Sequence, residues 1–227
     1  EDTDSLETQA WIAAQNELTQ RFLGEIPARS RIHRRLTELW DYPKFGVLYQ
    51  RGSRYFQTRN SGLQNQDVLV MMETPDGEAC TLLDPNTLSD DGTVALSSWA
   101  VSPDGRLLAY ATSASGSDWL TWRVRGVESG EDLTDEVAWS KFSGAEWLPD
   151  SSGFFYGRYA PPAEGDAFQG VNYHQQIFLH RIGQTQADDR LVYARPDEKE
   201  WGFHPTVSDD GVHLILHVWQ GTDTRNR

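Results

Sequence analysis

Cysteine occurs once in the 227 residues, at Cys80, so an internal disulfide is impossible and no Cys/His cluster has the spacing of a zinc site. The redox compartment is therefore left open. No apolar run reaches the 18 residues of a membrane-spanning helix, and no signal-peptide core is present. Basic residues are scarce: 20 Lys and Arg face 34 Asp and Glu, a net charge of −14. Such a surface repels phosphate backbones and anionic lipid, which excludes nucleic acid and membrane surfaces as partners. The P-loop, the dinucleotide fingerprint and the EF-hand loop are all missing. So is the G-x-S-x-G elbow, and none of the six histidines sits in the context of a Ser/His/Asp arrangement. The chain lacks an initiator Met and stops at "GTDTRNR" directly after an apolar run, so we expect a segment of a longer polypeptide.

Aromatics are what the sequence has in quantity. Nine Trp, eight Tyr and nine Phe supply much of the packing volume of a folded core. The first 40 residues differ from the rest. In "DSLETQAWIAAQNELTQRFL", Trp11, Ala14, Leu18 and Phe22 recur at helical spacing, with Asp4 or Ser5 available as N-cap. After Pro27, residues Ile32, Leu36, Leu39 and Trp40 form a second stripe. Two helices joined by a short turn follow.

From Asp41 onward the helical period disappears. Runs such as "DVLVMM", "LLAYAT", "GFFYGRY", "QIFLHRI" and "HLILHVW" alternate with Gly, Pro, Asp and Asn clusters, the pattern of an all-β region. "TPDGEA" at Thr74 to Ala79 predicts a hairpin turn in which Asp-Gly accepts positive φ angles. One phrase returns. "WAVSPDGRLLAYAT", "AEWLPDSSGFFYGRY" and "PTVSDDGVHLILHVW" share an apolar lead, a polar step, an Asp near a Gly and a strand, with Asp104, Asp150 and Asp210 lying 46 and 60 residues apart. An earlier unit, "YQRGSRYFQTRN", carries Gly52 in its turn. Units of ~40–50 residues holding several strands match propeller blades, and a generic sandwich stays open beside that reading.

The acidic clusters "SDDG", "ADDR" and "RPDEKE" read as solvated turns, so no metal site is assigned. His213 and His217, like His174 and His180, read as ordinary strand residues. "SGSDW" is different, because a hairpin turn needs neither Asp118 nor Trp119. Asp118 either caps the turn through an Asx-type bond or faces a cavity as a ligand-binding carboxylate.

These residues carry a family likeness. "WIAAQN", "DYPKFG", "SGLQNQDVL", "LLDPNTLSDDGTVAL", "SASGSDW", "WSKFSGAEWLPDSSGFFYGRY" and "NYHQQIFLHRIG" resemble, in order and spacing, the prolyl oligopeptidases, which are proline-specific serine peptidases. The resemblance implies a mainly β fold. Residues 1–40 would be an N-terminal helical segment packing on a peptidase domain, and 41–227 about the first four blades of a seven-bladed propeller. It implies an α/β-hydrolase domain beyond Arg227 holding the catalytic triad, with no catalytic residue in this chain and no cofactor. It implies a monomer acting on short proline-containing peptides, cytoplasmic, or periplasmic if a signal peptide precedes Glu1. Asp118 matches a family aspartate near the amino end of the bound peptide. Phe142, in "KFSG", matches a phenylalanine that walls the site upstream of the scissile bond, against the alternative of a core aromatic. Thr222 stands where some members have a cysteine. A propeller-type binding module without catalysis is the competing reading.

Overall fold

The computed structural model describes residues 5–163, 170–223 and 225; Asp4 and the end of "GTDTRNR" lie outside them. The chain divides into two compact units: the segment ending at Lys44, with Ser61–Leu63, and the remainder.

The first unit is helical. α1 (Leu6–Gly24) starts at Ser5, whose Oγ accepts from the Thr8 amide at 3.2 Å and satisfies one of the orphan donors of the first turn. α2 is Arg29–Trp40. Neither helix buries a residue, and the predicted stripes, Trp11, Leu18 and Phe22 on one and Ile32, Leu36, Leu39 and Trp40 on the other, stay exposed.

The strands are β1 (Lys44–Phe45), β2 (Tyr49–Arg51), β3 (Arg54–Asn60), β4 (Val68–Met72), β5 (Cys80–Leu83), β6 (Val94–Val101), β7 (Leu107–Ala114) and β8 (Leu120–Gly126). They continue with β9 (Asp132–Ser140), β10 (Glu146–Trp147), β11 (Gly153–Arg158), β12 (Gln176–Arg181), β13 (Arg190–Tyr193), β14 (Trp201–Val207) and β15 (Leu214–Gln220). Consecutive strands pair antiparallel as β2 to β5, β6 to β9, β10 to β13 and β14 with β15. The second and third of these meanders touch edge to edge through one pair, Arg158 with Ser140.

Core placement decides between propeller and sandwich. Side chains alternate faces along a strand, and here both faces are covered. On β7, Leu108 and Tyr110 pack toward Phe56, Leu69 and Leu83 of the first meander, while Ala109 and Ala111 pack with Trp147, Phe154 and Tyr156 of the third. On β11, Phe154 and Tyr156 face the second meander, and Phe155 faces Phe203 and Val218 of the β14–β15 hairpin. Each interior sheet is thus buried on both sides by the sheets before and after it. Two sheets closing on one shared core would leave outer faces wet. Successive sheets stacked around a series of cores form a propeller, with the repeats as its blades.

The repeated phrase is one turn. Ser102 Oγ donates to Asp104 Oδ1 at 2.6 Å and accepts from the Leu107 amide, while Gly105 adopts φ +74°. Ser208, Asp210 and Gly211 repeat this geometry. At the middle copy Ser151 takes the left-handed position with φ +60°. The reading of "TPDGEA" needs correction. The connection runs from Glu73 to Ala79, its turn is closed by Gly77 N donating to Thr74 O at 2.9 Å, and Gly77 is not at positive φ. A loop of that length turns without left-handed residues.

Candidate functional site

The loop between β9 and β10, "SKFSG", is held by buried hydrogen bonds. Ser140 Oγ donates to Gly157 O at 2.8 Å and accepts from Trp122 Nε1, and Ser143 Oγ accepts from the Gly157 amide at 2.7 Å. The buried amide of Gln175 donates to Lys141 O at 3.0 Å and accepts from the Phe203 amide at 2.6 Å, tying this loop to β14. A loop so anchored presents its side chains in fixed directions.

Phe142 is presented at a cost. Its φ is +54°, a region that disfavours any side chain, and the residue is 51% exposed. Phe142 therefore does not belong to any buried core among the described residues. Trp219 of β15 stands edge-on to it at 6.2 Å. The two rings, with Tyr159, Tyr173, Glu200 and Thr222 among others, line an open cavity of about 740 Å³.

Asp118 lies across Lys141 from Phe142. Its side chain is 65% exposed, and the carboxylate reaches Lys141 Nζ at 3.7 Å. The turn is capped instead by Ser117, whose Oγ accepts from the Trp119 amide at 3.0 Å, which replaces the Asx-type cap considered for Asp118. Lys141 links the two sequence-predicted positions. Its ammonium sits 4.9 Å from the Trp119 ring and 5.3 Å from that of Phe142. Trp119 in turn meets Trp139 and Tyr159 edge-on at 5.6 and 6.2 Å. Trp139 has φ +61° in a β9 bulge, and the Gln186 side chain bonds both backbone groups of Ala138 beside it. Burial pushes the Tyr159 hydroxyl up to about 12, so it stays protonated.

Sequence reasoning missed Lys141, Trp139, Tyr159 and Trp219. The string "WSKF" does cluster a cation with aromatics, but which face each occupies depends on the bulge.

His180, read as an ordinary strand residue, is fully buried between two carboxylates. Nδ1 lies 2.7 Å from Asp189 Oδ1 and Nε2 lies 3.0 Å from Asp135 Oδ1. Tyr156 donates to Asp189 Oδ2 at 2.6 Å, and the Gly183 amide donates to Asp135 Oδ1. A neutral imidazole has one N–H, so with both carboxylates ionised the two contacts call for the imidazolium. Burial pushes the His180 pKa down, but the hydrogen bond and charge of Asp189, then those of Asp135, outweigh it, and the pKa is raised. Neither ring nitrogen is left to accept a proton from a serine. This histidine is a cross-link between blades and no general base.

The family model described as "Prolyl oligopeptidase, N-terminal beta-propeller domain" matches residues 1–227. The prolyl endopeptidase of Elizabethkingia meningoseptica is 31% identical over 223 residues, covering 98% of this chain and 31% of that protein. Prolyl oligopeptidase A of Galerina marginata is 34% identical over 246 residues, covering 97% and 33%. Among solved structures, a prolyl endopeptidase studied for inter-domain dynamics superposes with a TM-score of 0.75 at 38% identity, over 100% of this chain and 32% of that one. Prolyl oligopeptidase B from Galerina marginata bound to a 25mer macrocyclization substrate gives 0.87 at 29% identity, over 99% and 34%. The chain spans about a third of the length of these relatives. Blades stacked through shared cores, and a family match from the first residue to the last, have one reading: this chain belongs to the prolyl oligopeptidase family, within its N-terminal β-propeller domain.

Proposed function

We propose that this chain is the propeller portion of a serine endopeptidase that hydrolyses short peptides on the carboxyl side of proline. The observation that carries the reading is the full-length match to prolyl endopeptidases three times as long. The nucleophilic serine, its histidine and its aspartate belong to an α/β-hydrolase domain beyond Arg227. The serine attacks the carbonyl after proline, the histidine carries the proton, and an oxyanion hole holds the developing charge. The propeller, completed to seven blades, restricts entry to unfolded peptides and shields ionic contacts from bulk water.

Within this segment, Asp118 meets the ammonium end of the peptide and Phe142 forms an apolar wall for a residue upstream of proline. The exposed stripes of α1 and α2 supply the surface that packs on the hydrolase domain, since Trp11, Phe22, Leu36 and Trp40 are all more than half exposed. The enzyme is a cytoplasmic monomer.

The test is the whole polypeptide. It should encode a G-x-S-x-G elbow downstream and cleave a blocked peptide after its single internal proline, with the position read by mass spectrometry. A chain that closes its ring without a hydrolase domain, and cleaves nothing, is the non-catalytic binding module. For Phe142→Ala, kcat/KM should fall most for large apolar residues upstream of proline, and a uniform fall makes Phe142 structural.

A further inference from the structure

We propose that Lys141 is a specificity-determining residue, a tethered cation that occupies the seat formed by Asp118, Trp119 and Phe142 and competes with the ammonium end of an incoming peptide. The inference rests on the role given to Asp118 above and deepens it. A carboxylate flanked by aromatic faces is the chemistry that recognises an alkylammonium group. Here that chemistry is already satisfied from within the chain. Lys141 Nζ stands 3.7 Å from Asp118 Oδ2, 4.9 Å from the Trp119 ring centre and 5.3 Å from that of Phe142.

The two partners differ in exposure, and that difference sets their roles. The Lys141 side chain is 11% exposed, whereas that of Asp118 is 65% exposed. The lysine comes from inside the protein, and the carboxylate remains open to solvent on its other side. Among the described residues, Asp118 is the only carboxylate that Lys141 meets. Its backbone is pinned through the carbonyl that accepts from Gln175, so the ammonium can leave only by rotation of its own side chain. A tethered group competes at a local concentration in the millimolar range. A peptide ammonium must therefore displace Lys141 to reach Asp118, which narrows the preference for a free over a blocked amino end. Without the lysine charge, Asp118 loses its cation and the seat beside the Trp119 and Phe142 rings selects for a free amine.

The experiment uses the full polypeptide and two peptides that differ only in acetylation of the amino end. In Lys141→Met, the ratio of kcat/KM for the free over the acetylated peptide should rise about fivefold, the scale of one charge pair at a partly exposed site. Lys141→Arg should keep the wild-type ratio, and Lys141→Met with Asp118→Asn should return toward it. A ratio unchanged in Lys141→Met overturns the proposal, as does a rise that survives Asp118→Asn. If wild type cleaves neither peptide, the peptidase reading fails and a second measurement judges Lys141 by itself. It also serves if Lys141→Met does not fold. Acetylation of Lys141 by an N-hydroxysuccinimide ester, read by mass spectrometry on the wild-type protein, should accelerate severalfold in tetramethylammonium chloride relative to equimolar sodium chloride. Equal rates in the two salts overturn the proposal.

Discussion

Replacing His180 by Gln should destabilise the propeller more than any surface change. The imidazolium bridges Asp135 of β9 and Asp189 ahead of β13, so it joins the second blade to the third. It is fully buried, with Phe154 packed at 5.3 Å. Removing it leaves two carboxylates in a dry site without their shared cation. Asp135 Oδ2 has no hydrogen-bond partner among the described residues even now. Breaking a buried pair this way costs about 3–5 kcal/mol. At ~2–4 °C per kcal/mol for a domain of this size, the melting temperature should fall by about 6–20 °C.

The pH dependence has a definite sign. His180 has a folded-state pKa above its ordinary value. Its contribution is therefore fully present below the unfolded pKa of ~6.5 and is lost as pH rises through the raised folded value. The groups facing it are Asp135, Asp189, and Tyr156 through Asp189, with Arg158 Nη1 at 3.5 Å from the tyrosine hydroxyl. Tyr156 does not titrate in this window, because burial first and Asp189 second push its hydroxyl far up. Urea denaturation from pH 6 to 9 should show wild type losing stability toward the alkaline end and His180→Gln showing no such decline. A loss under ~1 kcal/mol at neutral pH, the size of an exposed pair, or parallel pH profiles for the two proteins, would refute the reasoning.

Three further outcomes follow from the same packing. Gly52 has φ +54° and a side chain there would collide with the carbonyl of Asp104, so Gly52→Ala should cost about 2 kcal/mol or more in urea unfolding; a cost under ~0.5 kcal/mol, the range of an ordinary surface change, contradicts the close approach. Phe142→Gly should melt higher than Phe142→Ala in calorimetry, because glycine alone accepts φ +54° freely, a difference of about 1 kcal/mol; equal melting temperatures would show that the backbone relaxes. Gln175→Leu should lose about 2–4 kcal/mol by orphaning the Lys141 carbonyl and the Phe203 amide together, with faster amide exchange at Phe203; unchanged exchange there removes the bridge from the account.

What the sequence reveals is what local rules govern. The helices follow from the period of Trp11, Leu18 and Phe22 and from Ser5 as cap, and the repeated turn from Asp and Gly spacing. Long-range register is not local. His180 meets Asp135 across 45 residues and Asp189 across nine, and only the pairing of β11 with β12 points the imidazole inward between them. Lys141 reaches Asp118 because a bulge puts Ser140 opposite Leu120 and swings the following loop toward Trp119. Alternation alone leaves the face of Phe142 open, since a residue in the left-handed region follows no strand period. The propeller itself was legible as a repeat, but spacing did not distinguish it from a sandwich. The deciding fact is that Phe154 and Phe155, adjacent in sequence, enter different cores.

The repeated phrase does more than reverse the chain, and this explains both its recurrence and its irregularity. Turn touches turn along successive blades. Gly52 N donates to Pro103 O at 3.0 Å, Asp104 N donates to Ser151 Oγ at 3.3 Å, and a side chain at Gly211 would strike Pro149. Each turn closes its own hairpin and abuts the next. Where backbone meets backbone, as between Gly52 and Asp104 and between Gly105 and Arg51, only glycine leaves room. At Ser151 the left-handed site tolerates a side chain because that side chain is itself the link, accepting the Asp104 amide. Asx-type bonds from Asp104, Asp150 and Asp210 then hold each turn in the one shape that fits its neighbour. Asp thus serves its own hairpin in the three later copies, whereas Gly answers to the adjacent blade, which approaches by backbone at Gly52 and Gly105 and by the Pro149 ring at Gly211.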